Sequence, residues 1–366
     1  MLSQFRFEIG VTLRTLILPV VLCFIYFARC PLYAQTPAHF SLQVDDGRQE
    51  ELAGVPIRNP ALVAGSVQNG PAFGQLHLQT PDLPASFGSL LVGSGPCYLE
   101  FVGPPNHPWI GHRLEVDVAK TKQSTNSLVF LFSSHRNTKW PINSTVDGAQ
   151  AEIRTHIVLP KLLNRVLKNE AIQSFGLYPA PAFANLAINL NPGHISSLYV
   201  WLDLAGKVLW GTNPSTDSGM AEDSIVLPPG SAFALKQGPT PFGIGFSGDE
   251  VKTPVLAPIY AGTNLLCYPY LAPLKLSPEW SAKNKFESKT KSRSSYDIIV
   301  VKKNGKDEKY ALYPWFGFGS YGVWQKIDPI NGSWSQPPRY LKMISPGEGF
   351  YFITSKNYPS HTFSTP

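Results

Sequence analysis

The sequence predicts an all-β protein, mostly antiparallel, built of sandwich or barrel-like modules with an internal repeat and one short helix near residues 160–173. Three observations lead there. Short runs rich in β-branched and aromatic residues recur along the chain, and Leu114-Glu-Val-Asp-Val118 alternates apolar and polar residues as a half-buried strand does. Among 366 residues there are 34 prolines and 30 glycines, which punctuate these runs with turns. Finally, Val226-Leu-Pro-Pro-Gly-Ser-Ala-Phe-Ala-Leu235 is echoed by Ile344-Ser-Pro-Gly-Glu-Gly-Phe-Tyr-Phe-Ile353. In each, proline presets φ, glycine supplies a positive φ, and Phe opens an apolar strand.

Taken in order, residues 1–34 read as a signal peptide. Arg6 and Arg14 precede the apolar run Leu16–Phe27, and Leu32-Tyr33-Ala34 offers a small residue before Gln35. The run is short of the roughly 20 residues that a bilayer crossing needs, and a retained N-terminal anchor is the alternative to cleavage. No later segment is apolar enough to span, so the expected product is exported, to the periplasm, the outer surface or the medium. Export would leave Cys97 and Cys267 either bridged or as two buried thiols.

A β-rich region is expected over 35–190, with strands at His39–Val44, Gly74–Gln79, Ser89–Val92, Cys97–Val102, Arg113–Val118, Ser127–Ser133 and Ala151–Val158. The helix starts near Pro160, where the missing N–H costs nothing, and carries Leu162, Leu163, Val166 and Leu167 on one stripe. Tyr178-Pro-Ala-Pro-Ala-Phe-Ala184 reads as a rigid connector. A first β module follows over 191–273, then a basic exposed loop over 274–295, then a second β module over 296–366. Each module has the order strand, turn, aromatic strand, loop, Pro-Gly turn, strand. The first copy uses Leu198–Leu202, Gly206, Val208–Trp210 and Pro228–Gly230. The second uses Asp297–Val301, Asn304-Gly305, Tyr313–Trp315 with Trp324, and Pro346-Gly347.

Gly262-Thr-Asn-Leu-Leu-Cys-Tyr-Pro-Tyr270, Leu227-Pro-Pro-Gly230 with Phe233, and Pro346-Gly-Glu-Gly-Phe350 carry a resemblance. The chain resembles an uncharacterised family of secreted, β-rich proteins found in paralogous copies among Verrucomicrobia. Phe246-Ser-Gly248 and Val251 before Pro254 look like that family's link between repeats. The resemblance implies export and a β fold, and it carries over no activity, ligand or catalytic residue.

Chemistry is sparse in the pattern. A net charge of +6 is too mild for a nucleic-acid footprint. Gly245-Phe-Ser-Gly-Asp249 lacks the second glycine and the following helix of a hydrolase nucleophile elbow, and reads as a turn. His107, His112, Glu115 and Asp117 lie close together without a standard ligand spacing, so no metal or cofactor is expected. Glu222, Asp223, Asp249 and Glu250 could supply the two carboxylates of a glycosidase, but they sit beside turn residues where solvation is expected. The cluster Lys283, Lys285, Lys289, Lys291 and Arg293 reads as a solvated loop, with an anionic glycan as the alternative. The clearest binding signal is the glycine-interleaved aromatic set Trp315, Phe318, Tyr321, Trp324 and Trp334, which could stack on sugar faces or fill the core of the second module. The expected function is a non-enzymatic envelope or extracellular protein of structural or binding character. The alternative is a carbohydrate-binding module or carbohydrate-active enzyme, with a glycan or envelope component as partner.

Overall fold

Alternation and turn chemistry cut the chain into short strands, and in the computed structural model these pair antiparallel throughout. Described are residues 37–44, 50–80, 90–91, 93–124, 127–139, 145–175, 180–191, 193–213, 219–237, 242–288, 296–303, 306–314, 322–327 and 343–366. The chain opens with β1 (Ala38–Val44), β2 (Glu51–Gly54) and β3 (Ile57–Arg58). Next comes a separate six-stranded sheet: β4 (Ala61–Asn69), β5 (Gln75–Gln79), β6 (Cys97–Gly103), β7 (Arg113–Val116), helix α1 (Val118–Lys122), β8 (Leu128–Phe130) and β9 (Ala149–Thr155). Its order is β7-β6-β9-β4-β5-β8, and a bridge between Val116 and Leu131 joins the two edges, so the sheet curls back on itself. Inside it lie Val67, Leu76, Leu99, Phe101, Trp109 and Ile153, all inaccessible to solvent. The strand expected to reach Val118 stops at Val116. There the Asp117 carboxylate accepts the Lys120 N–H at 3.1 Å and starts α1 instead. Of the strand expected at Ser89–Val92, Leu90 and Leu91 are described, and neither is extended.

The chain continues with β10 (Ile157–Val158), α2 (Leu159–Phe175), β11 (Ala180–Asn191), β12 (His194–Leu202), β13 (Val208–Gly211), β14 (Val226–Leu227), β15 (Ala232–Gln237) and β16 (Phe242–Glu250). The predicted helix is α2, whose buried Leu159, Leu163 and Leu167 at four-residue spacing pack among Leu198, Val200 and Trp210. Of the boundary or rigid connector expected at Tyr178–Ala184, the described residues from Ala180 on are instead the start of β11. Its pairing with β12 shifts register between Ala180 and Ala184, so Pro181 falls where the ladder is interrupted and its missing N–H is tolerated. The boundary expected at 190–191 thus lies at a hairpin inside one sheet.

The last part holds β17 (Val255–Leu256), β18 (Gly262–Cys267), β19 (Leu274–Lys275), α3 (Pro278–Asn284), β20 (Ile298–Lys303), β21 (Lys306–Pro314), β22 (Gly322–Lys326), β23 (Met343–Ile344), β24 (Gly349–Thr354) and β25 (Thr362–Phe363). Helix α3 corrects the exposed loop expected over 274–295. Ser277 caps it by accepting the Trp280 N–H at 3.3 Å, Pro278 occupies its first turn, and Trp280 and Phe286 are buried in the core. The lysine-rich composition concealed those two anchors. Lys289, Lys291 and Arg293 lie outside the described residues.

Two five-stranded sheets share one connection order. The first is β13-β12-β11-β15-β2 and the second β22-β21-β20-β24-β18. The flanking pairs correspond as well: β10 with β14 and β19 with β23, then β1 with β16 and β17 with β25. In the first set the curled sheet is interposed between β3 and β10; in the second, β18 runs on to β19 within a few residues. The Pro-Gly turns interlock the sets reciprocally. The Cys267 N–H donates to Gly230 O and the Gly54 N–H to Gly347 O, each at 2.9 Å. Bridges Ser231–Leu266 and Ala53–Glu348 flank them. Gly230 and Gly347 sit at φ +85° and +76°, the left-handed region these turns require. Phe233 and Phe350, each three residues later, are fully buried.

Each set also closes its edge strand onto its helix with a tryptophan. Trp210 Nε1–H donates to Asn164 Oδ1 on α2, and Trp324 Nε1–H to Ser281 Oγ on α3, both at 2.7 Å. A buried indole N–H needs such an acceptor.

Candidate functional site

Alternation gives the curled sheet a second, polar face. Along β6, Cys97, Leu99 and Phe101 turn inward, so Tyr98 and Glu100 turn outward. Arg113 and Glu115 do the same on β7, as do Glu152 and Arg154 on β9. On an open sheet these groups would be wet. Here Tyr98, Glu100, Arg113, Glu115 and Arg154 are all buried, because β3, β16 and the Pro228–Gly230 turn cover them.

A buried charge costs several kcal/mol unless it is paired and hydrogen-bonded, and the pairing is dense. Arg58 on β3 pairs with Glu100. Arg154 binds Glu152 through Nε at 2.9 Å and reaches Asp249 on β16 at 2.6 Å. Arg113 donates to the carbonyls of Pro229 at 2.9 Å and Leu256 at 2.6 Å, tying both strand sets to the curled sheet. His156 Nε2 lies 2.9 Å from Glu115 Oε1, and the His156 ring rests on Tyr98 with centroids 4.6 Å apart. Burial works against the Glu115 charge, but His156, Arg136 and Arg113 outweigh it and hold the carboxyl below its usual range. Burial, reinforced by Glu100, pushes the Tyr98 phenol far up, so it stays neutral.

Several cavities border this face, two of them larger than a single water. One of about 110 Å³ lies among Arg113, Arg136, Asn189, Pro229, Tyr260 and Leu266. The larger, about 360 Å³, lies among Val55, Arg58, His156, Ile157, Leu162 and Phe246. Two buried nitrogens of residues lining the larger cavity lack a hydrogen-bond partner: Arg58 Nε and His156 Nδ1.

The sequence-derived candidates are dispersed. Trp324 is only 2% exposed and packs against Trp280 and Phe286, so it is a core residue and not a ligand-facing one. Trp315, Phe318, Tyr321 and Trp334 lie outside the described residues. His107 Nδ1 accepts the Trp109 N–H at 3.3 Å, His112 meets Thr138 Oγ1 at 3.2 Å, Glu115 faces His156 and Asp117 caps α1. Among the described residues no cluster of three or more His, Cys, Asp or Glu side chains could hold a metal. Of the carboxylates, Glu222 accepts from Asn164 at 3.3 Å, Asp223 pairs with Lys161 at 3.0 Å, and Asp249 pairs with Arg154. Gly245–Asp249, expected as a turn, lies inside strand β16. Glu348 accepts the Ser345 N–H at 2.8 Å and so stabilises its own turn. Cys97 and Cys267 are both free and buried, in different cores.

The charged face escaped the sequence reading, although its signal was present. Arg113-Leu-Glu-Val116 and Gln150-Ala-Glu-Ile-Arg154 alternate cleanly, and such alternation is ordinarily read as solvent on the polar side. Only tertiary structure shows that this side is covered too. No described helix is long and apolar enough to cross a membrane. Compared with known proteins, the chain matches no family model, no curated protein and no solved structure.

Proposed function

We propose that this is an exported, non-enzymatic protein of structural or binding character, working in the cell envelope or outside the cell. The observation that supports this best is the use made of its ionisable groups. Arg58, Glu100, Glu152, Arg154 and Asp249 pair with one another across an internal junction and His156 bonds Glu115, an arrangement that fixes the curled sheet against the sheet of β1, β16 and β3. Catalytic carboxylates or bases are, in contrast, aimed at an accessible reacting position. The signal-like segment 1–34 supports export. Kinship with the secreted Verrucomicrobia family belongs to the same reading, as does descent of the two strand sets from one duplicated unit, which their common connection order favours. With Trp324 in the core, an aromatic sugar platform has less to stand on.

The test is to express the full chain, fractionate the cells and sequence the N-terminus of the product. A product beginning at Gln35 in an exported fraction is expected; an uncleaved cytoplasmic chain would overturn export. Incubating the exported product with an oligosaccharide panel, read by mass spectrometry, checks the other half, because chain cleavage would make it an enzyme.

A further inference from the structure

The cavity of about 360 Å³ beside His156 has two chemically distinct walls. Val55, Ile57, Ile157, Leu162 and Phe246 make one side apolar. On the other side are Arg58 and His156, with side chains 6% and 2% exposed; Arg58 Nη1 is committed to Glu100 and His156 Nε2 to Glu115. Arg58 Nε–H and His156 Nδ1 are both buried and without a partner. Leaving such groups unmet costs about 1–3 kcal/mol apiece, so polar atoms in this setting mark a place for a ligand. Lys161 stands on the rim, paired with Asp223 at 3.0 Å.

We propose that this cavity binds a small aliphatic carboxylate, a class that rests on the binding side of the proposed function. The carboxyl group meets both demands at once. One oxygen accepts from Arg58 Nε–H, and the other shares a single proton with His156 Nδ1. The alkyl tail lies along the Val55–Phe246 wall. A volume of about 360 Å³ suits a chain of a few carbons and is within the range of small-molecule sites.

Sodium hexanoate titrated calorimetrically into the full-length protein tests this. Saturable binding with Kd below about 1 mM is expected for a ligand of this size. Leu162→Trp, which fills the apolar side without touching a charge, is expected to weaken it at least tenfold. Arg58→Met combined with Glu100→Leu removes the guanidinium without stranding its carboxylate. That pair is expected to weaken hexanoate at least tenfold and to leave 1-hexanol binding unchanged. Absence of saturable hexanoate binding to the unaltered protein, or undiminished binding in either variant, would overturn the proposal. Circular dichroism of each variant confirms that it is folded. Export is read independently by fractionation, so failure of this site and failure of the exported role are separable.

Discussion

Gly54 and Cys267 stand opposite each other where the two strand sets interlock: a Cβ added to Gly54 would lie 2.2 Å from Cys267 Cβ and 2.5 Å from its sulfur. They also occupy matching places, Gly54 pairing with Ala232 and Cys267 with Gly349 at the start of corresponding strands. The approach is possible because one of the two has no side chain. Gly54→Ala is therefore expected to cost about 1–3 kcal/mol through overpacking. Combining it with Cys267→Gly moves the single side chain to the other strand and should recover most of the loss. Urea denaturation of the two single variants and the double variant measures that coupling; additive losses would show that the contact does not limit the packing.

A second expectation concerns the Arg58–Glu100 pair, in which the carboxylate is wholly buried. Glu100→Gln leaves the guanidinium without its counter-charge and should cost about 3–5 kcal/mol. Replacing both partners, as Arg58→Met with Glu100→Leu, should come within about 1–2 kcal/mol of the parent, since neither charge then needs to be desolvated. Chemical denaturation distinguishes the outcomes: equal losses in the two variants would mean that packing, not charge pairing, governs this junction.

The tryptophans that anchor the helices should respond alike. Trp210→Phe and Trp324→Phe each remove one indole N–H bond, to Asn164 and Ser281 respectively, and each should cost about 0.5–1.5 kcal/mol. Truncating Trp324 to Ala should cost about 3–5 kcal/mol as a core cavity opens. Thermal unfolding reads both. If Trp324→Ala were stable yet lost affinity for glycans, Trp324 would be a ligand platform after all.

The all-β class, the α2 helix and the two Pro-Gly turns were legible because each rests on local chemistry. Turn residues mark strand ends, and Leu162, Leu163, Val166 and Leu167 mark a helical stripe within one window, of which Leu163 and Leu167 are buried. The partners of those strands were not legible. That β2 completes a sheet otherwise drawn from residues 180–237 depends on pairing across the whole curled sheet, which no local pattern encodes. Helix α3 was masked by lysines around Trp280, and β11 by prolines that a register shift tolerates. The charged face around Glu115 and Arg154 was visible as alternation, but alternation cannot say whether a polar side faces water or another sheet.

Stability should fall on mild acidification, and His361 supplies a separable part of that fall. Its ring is 1% exposed, with Nδ1 2.7 Å from Ala257 O, Nε2 unpartnered, and Trp280, Phe286 and Phe363 around it. Burial, aided by Lys283, lowers its pKa from 6.5 to about 4. His112 is lowered to about 4 as well, by burial and by Lys139 and Arg113. Between these values the unfolded chain binds protons that the folded chain refuses, so stability rises with pH across the window. The contribution is complete above about 6.5 and is lost as pH falls toward 4, on the order of 1–3 kcal/mol per histidine. Glu115 acts in the same direction further down, because its lowered folded pKa stabilises the protein only while the carboxyl is ionised. His361→Asn keeps a donor near the Nδ1 position but cannot titrate. It should be less stable than the parent at pH 7, with a shallower loss between pH 6.5 and 4.5. Urea midpoints over that range, taken with both proteins, decide it: parallel slopes would mean that His361 is not the group that titrates.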